Sequence, residues 1–142
     1  MTGVQVLIGA VVVAGAAALL MRWKNGRFSV AAADPQDDGE RLDPDDLGVP
    51  LGERATLVQF SSAFCAPCRA TRQVLSQVTS LVPGVAAVEI DAEAQLDLVR
   101  RMNVLRTPTV LVLDAQGRVV ERASGAPTRD QVLVALDRAF SR

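Results

Sequence analysis

The chain has 142 residues, of which 49% are hydrophobic, and a formal net charge of −1 at pH 7. This length allows one domain and one appendage, and the near-zero charge gives no indication of a nucleic-acid partner. The charges are unevenly placed, because residues 22–30 carry three basic residues and no acid, whereas residues 34–54 carry eight acids against two arginines.

The first predicted element is a membrane-spanning helix. Val4–Met21 contains 18 residues without a formal charge, which as a helix cover about 27 Å of the ~30 Å hydrocarbon core. A cleaved signal peptide is the alternative, and the small residues of VAAAD at 30–34 suit a cleavage site. However, no basic residue precedes the apolar run, and three follow it before that site. We therefore predict a retained single-pass anchor, residues 1–22, that contacts the lipid bilayer through residues 2–21.

The basic residues after this helix predict its orientation. Arg22, Lys24 and Arg27 follow the span, and lysine and arginine near a span stay on the cytoplasmic side. The N-terminus is thus expected outside and the rest of the chain in the cytoplasm, at the cell membrane. Trp23 and Phe28 suit the lipid headgroup layer.

Residues 23–46 are interpreted as a spacer between the anchor and a folded domain. The segment is a basic juxtamembrane stretch followed by an acidic, proline-containing stretch with few large apolar residues. Such a composition buries too little surface to offset the entropy of ordering, so we predict a flexible linker. The domain is expected to cover residues 47–142.

The pattern of the domain predicts four strands and three helices in the order β-α-β-α-β-β-α. The strands are expected at residues 56–60, 85–91, 109–114 and 118–124, and the helices at about 65–81, at 93–102 and from Thr128 onward. Thr128 and Gln131 have the spacing of a capping box, and the last strand alternates as an edge strand does. Because crossover connections are right-handed, the first two strands are parallel neighbours. Chemistry is then expected at the carboxyl end of the first strand.

Two cysteines, Cys65 and Cys68, are the candidate reactive groups, and the chain has no histidine. A closed zinc or iron–sulfur site takes about four thiolate or imidazole ligands, so it would need a second protomer. Haem attachment needs a histidine where Arg69 stands. A structural staple across two residues would restrain almost no chain entropy. Redox chemistry is what remains, and we predict neither a metal nor a cofactor.

The positions of the two thiols suit that chemistry. Residues three apart on a first helical turn bring their Cβ atoms close enough for a disulfide, and the helix N-terminus stabilises a thiolate at Cys65. Pro67 is tolerated there because a first-turn residue has no intrahelical partner for its N–H. We expect Cys65 to be the exposed attacking thiol and Cys68 the buried resolving thiol.

Residues 55–142 resemble thioredoxin. The segments that carry the resemblance are TLVQFSSAFCAPCR, LRTPTVLVLDAQGRVV and ASGA. The resemblance implies an α/β thioredoxin-like fold, a central mixed sheet flanked by helices, with Cys65 as nucleophile and Cys68 as resolver. It also implies a cis bond between Thr107 and Pro108, which form the ledge where a substrate strand pairs, and a groove position for Gly125.

Some positions depart from the thioredoxin pattern. Phe64 stands where the family usually has tryptophan, Gln59 replaces a buried acid, and Ala87 replaces that acid's lysine partner. The dithiol therefore lacks the carboxylate that would accept the proton of Cys68. Glu89, two residues from Ala87 on the same strand, is a candidate substitute. The alternative is that Gln59 is only a hydrogen-bonded amide of the core.

These observations predict a membrane-anchored thiol–disulfide oxidoreductase in the cytoplasm of a bacterium. It is expected to reduce protein disulfides with electrons from an unidentified donor. Two alternatives remain open. One is the same chemistry outside the cytoplasm, in cytochrome c maturation or periplasmic thiol reduction. The other is a non-catalytic docking module that binds through the groove at Pro108.

Overall fold

The structure of the protein, a computed structural model, describes residues 2–30 and 40–141. Five helices lie in these ranges: α1 (Thr2–Lys24), α2 (Pro44–Leu47), α3 (Ala66–Leu81), α4 (Leu96–Arg101) and α5 (Arg129–Phe140). The five strands are β1 (Phe28–Val30), β2 (Ala55–Ser61), β3 (Val85–Asp91), β4 (Thr109–Asp114) and β5 (Val119–Ser124). The predicted β-α-β-α-β-β-α order is confirmed for β2 to α5, with β1 and α2 added before it.

Helix α1 is long and apolar enough to cross a membrane. The candidate span is Gly3–Lys24, none of whose side chains is buried against the rest of the protein. A helix buried in a soluble core would lose its apolar surface to neighbours, and this one does not. A signal sequence near an N-terminus has the same properties.

The strands form one mixed sheet with the order β1-β5-β4-β2-β3. Strands β2 and β3 are parallel, as the crossover through α3 predicts, and the other neighbours are antiparallel. The prediction that the strand at 118–124 lies at an edge is wrong, because β1 pairs with β5. The pairing places Phe28 opposite Ala123.

The two faces of the sheet carry separate apolar clusters. Helices α3 and α5 cover one face, where Leu75 and Leu136 belong to the same cluster as Leu57 of β2. The other face buries Phe60, Met102 and their neighbours. The capping box of α5 is confirmed, since Thr128 and Gln131 exchange hydrogen bonds of 2.8 and 3.3 Å.

Strand β1 departs from the predicted spacer. Phe28 packs partly buried against the cluster on the α3 and α5 face, so its ring belongs to the protein core rather than to the headgroup layer. The sheet thus begins only a few residues after α1 ends.

Residues 40–46 also differ from the predicted flexible linker. Leu42 is fully buried in the second cluster, and its N–H donates to the carbonyl of Gly117 at 2.9 Å. Helix α2 starts at Pro44, before the predicted domain boundary at residue 47. Burial of Leu42 and the ion pairs of Glu40 with Arg122 and of Asp46 with Arg101 hold this mainly acidic stretch on the domain. The rest of the predicted linker, residues 31–39, lies outside the described residues.

Candidate active site

The two cysteines lie where β2 passes into α3. Cys65 is the N-cap of α3, as predicted, and its sulfur accepts a hydrogen bond of 3.1 Å from the N–H of Cys68. Pro67 occupies the first turn, where its missing N–H leaves no bond unmade. The two residues form a disulfide with their Cα atoms 5.2 Å apart. The structure therefore contains the oxidised form of the pair.

The two sulfur-bearing residues differ in exposure. Cys68 is 1% exposed, whereas Cys65 is half-buried and is followed by exposed Ala66 and Pro67. Phe64 is fully exposed and directly precedes the pair. Of the two cysteines, only Cys65 is thus open to a partner from solution.

Two further loops meet the cysteine loop at this end of the sheet. The hydroxyls of Ser62 and Thr107 are hydrogen-bonded at 3.1 Å, and the peptide bond between Thr107 and Pro108 is cis, as predicted. Gly125, after β5, donates its N–H to the carbonyl of Pro108 at 2.7 Å. The predicted groove residues therefore lie together beside the thiols.

Sequence reasoning missed the contribution of the segment after α1. Arg106 donates to the side chain of Asn25 and also to the carbonyl of Ser124 at 2.5 Å. Gly125 has a φ of 104°, and a Cβ at that position would lie 2.5 Å from the Asn25 side-chain oxygen. Position 125 therefore requires glycine for its backbone and for the close approach of Asn25. The only signal in the sequence was the short apolar FSV stretch after Arg27.

The match to known proteins agrees with this geometry. Residues 49–138, well over half of the chain, match the family model described as Thioredoxin. The chain belongs to the thioredoxin family. A close pair of cysteines in a thioredoxin domain supports a thiol–disulfide oxidoreductase.

Several curated relatives are thioredoxins. The chain is 32% identical over 74 residues to putative thioredoxin H10 of Arabidopsis thaliana, a match that covers 52% of this chain and 47% of that protein. It is 27% identical over 85 residues to thioredoxin-2 of Pyricularia oryzae, covering 60% and 50%. It is 30% identical over 86 residues to thioredoxin C-2 of Corynebacterium nephridii, covering 60% and 79%. The chain thus spans about half the length of the first two relatives.

Solved structures share the fold at low sequence identity. Chloroplastic thioredoxin z superposes with a TM-score of 0.60 at 20% identity, over 75% of this chain and 97% of that one. A mutant thioredoxin from Halobacterium salinarum gives a TM-score of 0.57 at 20% identity, over 62% and 76%. The domain from β2 to α5 therefore has the thioredoxin fold.

Beneath the thiols, the thioredoxin domain has an amide. Gln59 is 1% exposed, and its NH₂ group donates to the carbonyl of Cys68 at 2.8 Å and to the hydroxyl of Ser61 at 3.1 Å. Both bonds satisfy a polar group that would be costly to bury alone. The side chain thus has the role of a hydrogen-bonded core amide and offers no carboxylate to Cys68.

Glu89 lies beside Gln59 on the neighbouring strand, as the predicted face requires. Its carboxylate accepts two hydrogen bonds of 2.5 and 2.6 Å from Arg72. The hydrogen bond from Arg72, with a smaller one from Ser61, holds the pKa of Glu89 below its usual value. A carboxylate with a lowered pKa is a weaker base, which argues against Glu89 as the proton acceptor. Arg72 is engaged with Glu89 rather than with the sulfurs.

No cluster of three or more histidine, cysteine, aspartate or glutamate side chains suited to a metal ion occurs within residues 2–30 and 40–141. The carboxylate of Glu89, on the strand beside the cysteine-bearing β2, is already paired with Arg72.

Proposed function

We propose that the protein is a membrane-anchored thiol–disulfide oxidoreductase that reduces protein disulfides. The observation that carries this proposal is the difference in exposure between the two cysteines, with Cys65 accessible and Cys68 1% exposed. An accessible thiol can form a mixed disulfide with a protein, and a buried neighbour can resolve it without competing for substrate.

The first step is attack of the Cys65 thiolate on one sulfur of the substrate disulfide. The substrate S–S bond breaks, the mixed disulfide forms, and the released substrate thiolate takes a proton from water. The N-terminus of α3 favours the thiolate, because its N–H groups and dipole stabilise negative charge. The hydrogen bond from the Cys68 N–H to the Cys65 sulfur has the geometry to do this.

The second step is attack of the Cys68 thiolate on the Cys65 sulfur. The mixed disulfide breaks, the second substrate thiol leaves, and the disulfide described above forms. The two electrons have then passed to the substrate. A dithiol donor reduces the Cys65–Cys68 disulfide again and is itself oxidised to a disulfide. Thr107, Pro108 and Gly125 would hold the substrate chain beside Cys65, since their backbones border the cysteine loop; extended peptides bind such backbone edges by main-chain pairing.

The proposal includes retention of α1 as an anchor. Cleavage within VAAAD, residues 30–34, would remove β1 from the mature protein. That loss would take away the packing of Phe28 against the core and expose the edge of β5. A fold that needs the residues just after the helix is better served by an anchor than by a signal peptide.

We further propose that the domain lies in the bacterial cytoplasm. The support is the basic triplet Arg22, Lys24 and Arg27 on the domain side of the span, since such residues stay on the cytoplasmic side. The reducing thiol pool of that compartment favours the dithiol form, so the working direction is reduction of substrate.

The activity can be tested with the full chain in lipid nanodiscs. Insulin is the substrate, dithiothreitol the donor, and Cys65→Ser and Cys68→Ser the variants. Ser80→Ala, at an exposed position near the other end of α3, is the control that leaves both thiols and the groove unchanged. We expect turnover by the wild type and the control, and background rates for both cysteine variants. When the reduced variants are mixed with insulin after removal of dithiothreitol, a stable mixed disulfide should accumulate only with Cys68→Ser. A wild type that binds protein partners but matches background turnover would establish the docking module instead.

A further inference from the structure

The end of α1 is joined to the sheet without an intervening linker. The N–H of Asn25 donates to the carbonyl of Met21 at 3.0 Å, which continues the helical pattern. The N–H of the next residue, Gly26, donates to the carbonyl of Ser124 in β5 at 2.9 Å. Because adjacent residues bond to the helix and to the sheet, the domain is held at the helix end.

This junction enters the sheet at the end that carries the thiols. Phe28 of β1 is paired with Ala123 of β5, which is paired with Val110 of β4. Val110 is in turn paired with Gln59 of β2, so the four residues form one row across the sheet. From that row, the chain runs toward the N-terminus from β1 to α1, and toward the C-terminus from β2 to the cysteines. Both connections leave the sheet in the same direction, because β1 and β2 run antiparallel to each other. The end of α1 and Cys65 therefore lie beyond the same end of the strands.

The same junction borders the groove. The side chain of Asn25 accepts a hydrogen bond from Arg106, which lies two residues before Pro108. It also approaches Gly125, whose N–H is bonded to the carbonyl of Pro108. One boundary of the groove is thus the residue that directly follows the membrane helix. Three strand spacings, about 15 Å across the sheet, separate β1 from β2.

Two apolar side chains are exposed near this edge. Phe64 is 102% exposed and Leu105 is 87% exposed, the highest values among the large apolar residues described between 40 and 141. They precede the cysteine loop and the Pro108 loop respectively. Both side chains are therefore available for contact with a partner that binds at this end of the sheet.

We propose that the substrate is a cysteine pair in the juxtamembrane segment of an integral membrane protein, close to the bilayer surface. The proposal rests on the proposed function and adds the class of substrate. A segment close to the membrane reaches the groove directly, and its apolar residues can contact Phe64 and Leu105. The chemistry is unchanged, since the substrate disulfide becomes two thiols while Cys65 and Cys68 form their disulfide.

The test uses the reduced full chain in liposomes with three disulfide substrates. Two are synthetic membrane-spanning peptides that carry the same fluorogenic disulfide loop either three or fifteen flexible residues beyond the span. The third is that loop as a soluble peptide. Each rate is divided by the amount of Cys65 that faces the outside of the liposomes. If the domain is held at the surface, the near disulfide should react about tenfold faster than the far one, since local concentration falls with about the −3/2 power of tether length.

Two insertion variants test whether the junction between α1 and the sheet is the cause of the preference for the near disulfide. Ten glycine and serine residues between Lys24 and Asn25 detach the domain from the helix but keep Asn25 beside Arg106. The same ten residues between Pro35 and Gln36 leave the junction intact, because β1 precedes them. The first variant should lose most of the preference for the near disulfide, and the second should keep it.

Equal rates of the wild type on the near and far disulfides would overturn the proposal, as would an unchanged preference in the Lys24–Asn25 insertion. Failure of the proposed function is distinguishable, because it would appear as loss of reduction of the soluble peptide or as failure of the full chain to float with liposomes. Equal reduction of the soluble peptide by all three proteins shows that the insertions leave the thioredoxin domain folded.

Discussion

The side-chain amide of Gln59 connects the resolving cysteine to a short polar chain. It donates to the Cys68 carbonyl and to Ser61, and Ser61 in turn contributes to the lowered pKa of Glu89. The carboxylate at the end of this chain is held by Arg72. Proton release from Cys68 in the second step therefore has no strong base beside it among the described residues. Water entering the cleft between α3 and β3, which Gln59 and Glu89 line, is the remaining acceptor.

Replacing the amide by a carboxylate should therefore speed resolution. In Gln59→Glu the carboxyl has the same length as the amide, and burial raises its pKa. We expect faster release of the mixed disulfide above that raised pKa, where the carboxylate accepts the Cys68 proton, and no gain well below it. Stopped-flow measurement of substrate release between about pH 5 and pH 9 checks this. Rates equal to wild type across the range would mean that water alone suffices.

The same substitution should also cost stability in a pH-dependent way. The folded-state pKa of the new carboxyl lies above its unfolded value of about 4.3, so the penalty grows as pH rises above that value. Urea unfolding at about pH 4 and about pH 8 measures the difference. A penalty that does not increase with pH would contradict burial as its cause.

Glu89→Gln is the matched variant, because it removes a carboxylate whose described partners are Arg72 and Ser61 rather than the thiols. We expect little change in the rate of resolution. Its effect is on stability: pairing with Arg72 lowers the folded-state pKa, so the wild-type contribution is present above the unfolded pKa and is lost as pH falls through the folded one. Wild type and variant should therefore differ slightly near neutral pH and converge in acid. A marked slowing of resolution would restore Glu89 as the base.

Among the elements, β1 is short but contributes both to the sheet and to the core. Its three residues cover the edge of β5 and bring Phe28 onto the core. An exposed edge next to a functional groove invites pairing with other chains. In this protein the described edges of the sheet are β1 and β3, and the groove end of β5 is occupied by Gly26.

Phe28→Ala should destabilise the domain by about 2 kcal/mol, less than the ~3–5 kcal/mol of a fully buried phenylalanine because the ring is only partly buried. Phe64→Ala is the control, since the same atoms are removed from a fully exposed side chain; it should change stability by less than about 0.5 kcal/mol. Urea unfolding of the full chain in detergent, followed by circular dichroism, compares them. Equal effects would mean that β1 does not contribute to the fold in solution.

At the scale of the whole molecule, helix α1 and the domain form one continuous structure at Asn25 and Gly26. In the proposed membrane-anchored form, the orientation of α1 decides which compartment the thiols face. The proposed cytoplasmic orientation rests on the three basic residues on the domain side, since such residues stay in the cytoplasm.

We expect a membrane-impermeant maleimide to leave Cys65 unlabelled in intact cells and to label it once the membrane is opened. The matched control is Thr2→Cys in a chain with Cys65→Ser and Cys68→Ser, which should be labelled in intact cells. Labelling is read by gel shift, after mild external reduction. The reverse pattern would move the chemistry outside the cytoplasm.

The sequence by itself determined the thiol chemistry and the framework around it, because both are local patterns. Cys65 and Cys68 are one helical turn apart, Pro67 suits only the first turn, and the capping box at Thr128 starts α5. The cis bond before Pro108 followed from the family resemblance. Each of these depends on residues within a few positions of one another.

The tertiary structure alone decided which distant segments complete the site. Strand β1 is too short to show a period, and it is stabilised by bonds to residues about ninety positions away, such as that from Ser29 to Arg122. Likewise, the ion pair between Arg72 and Glu89 joins α3 to β3. This pair makes Glu89 a weaker base. Asn25 reaches Gly125 only because β1 is paired with β5. Pairing between remote parts of a chain leaves no local signal, since its free energy arises only when the partners meet.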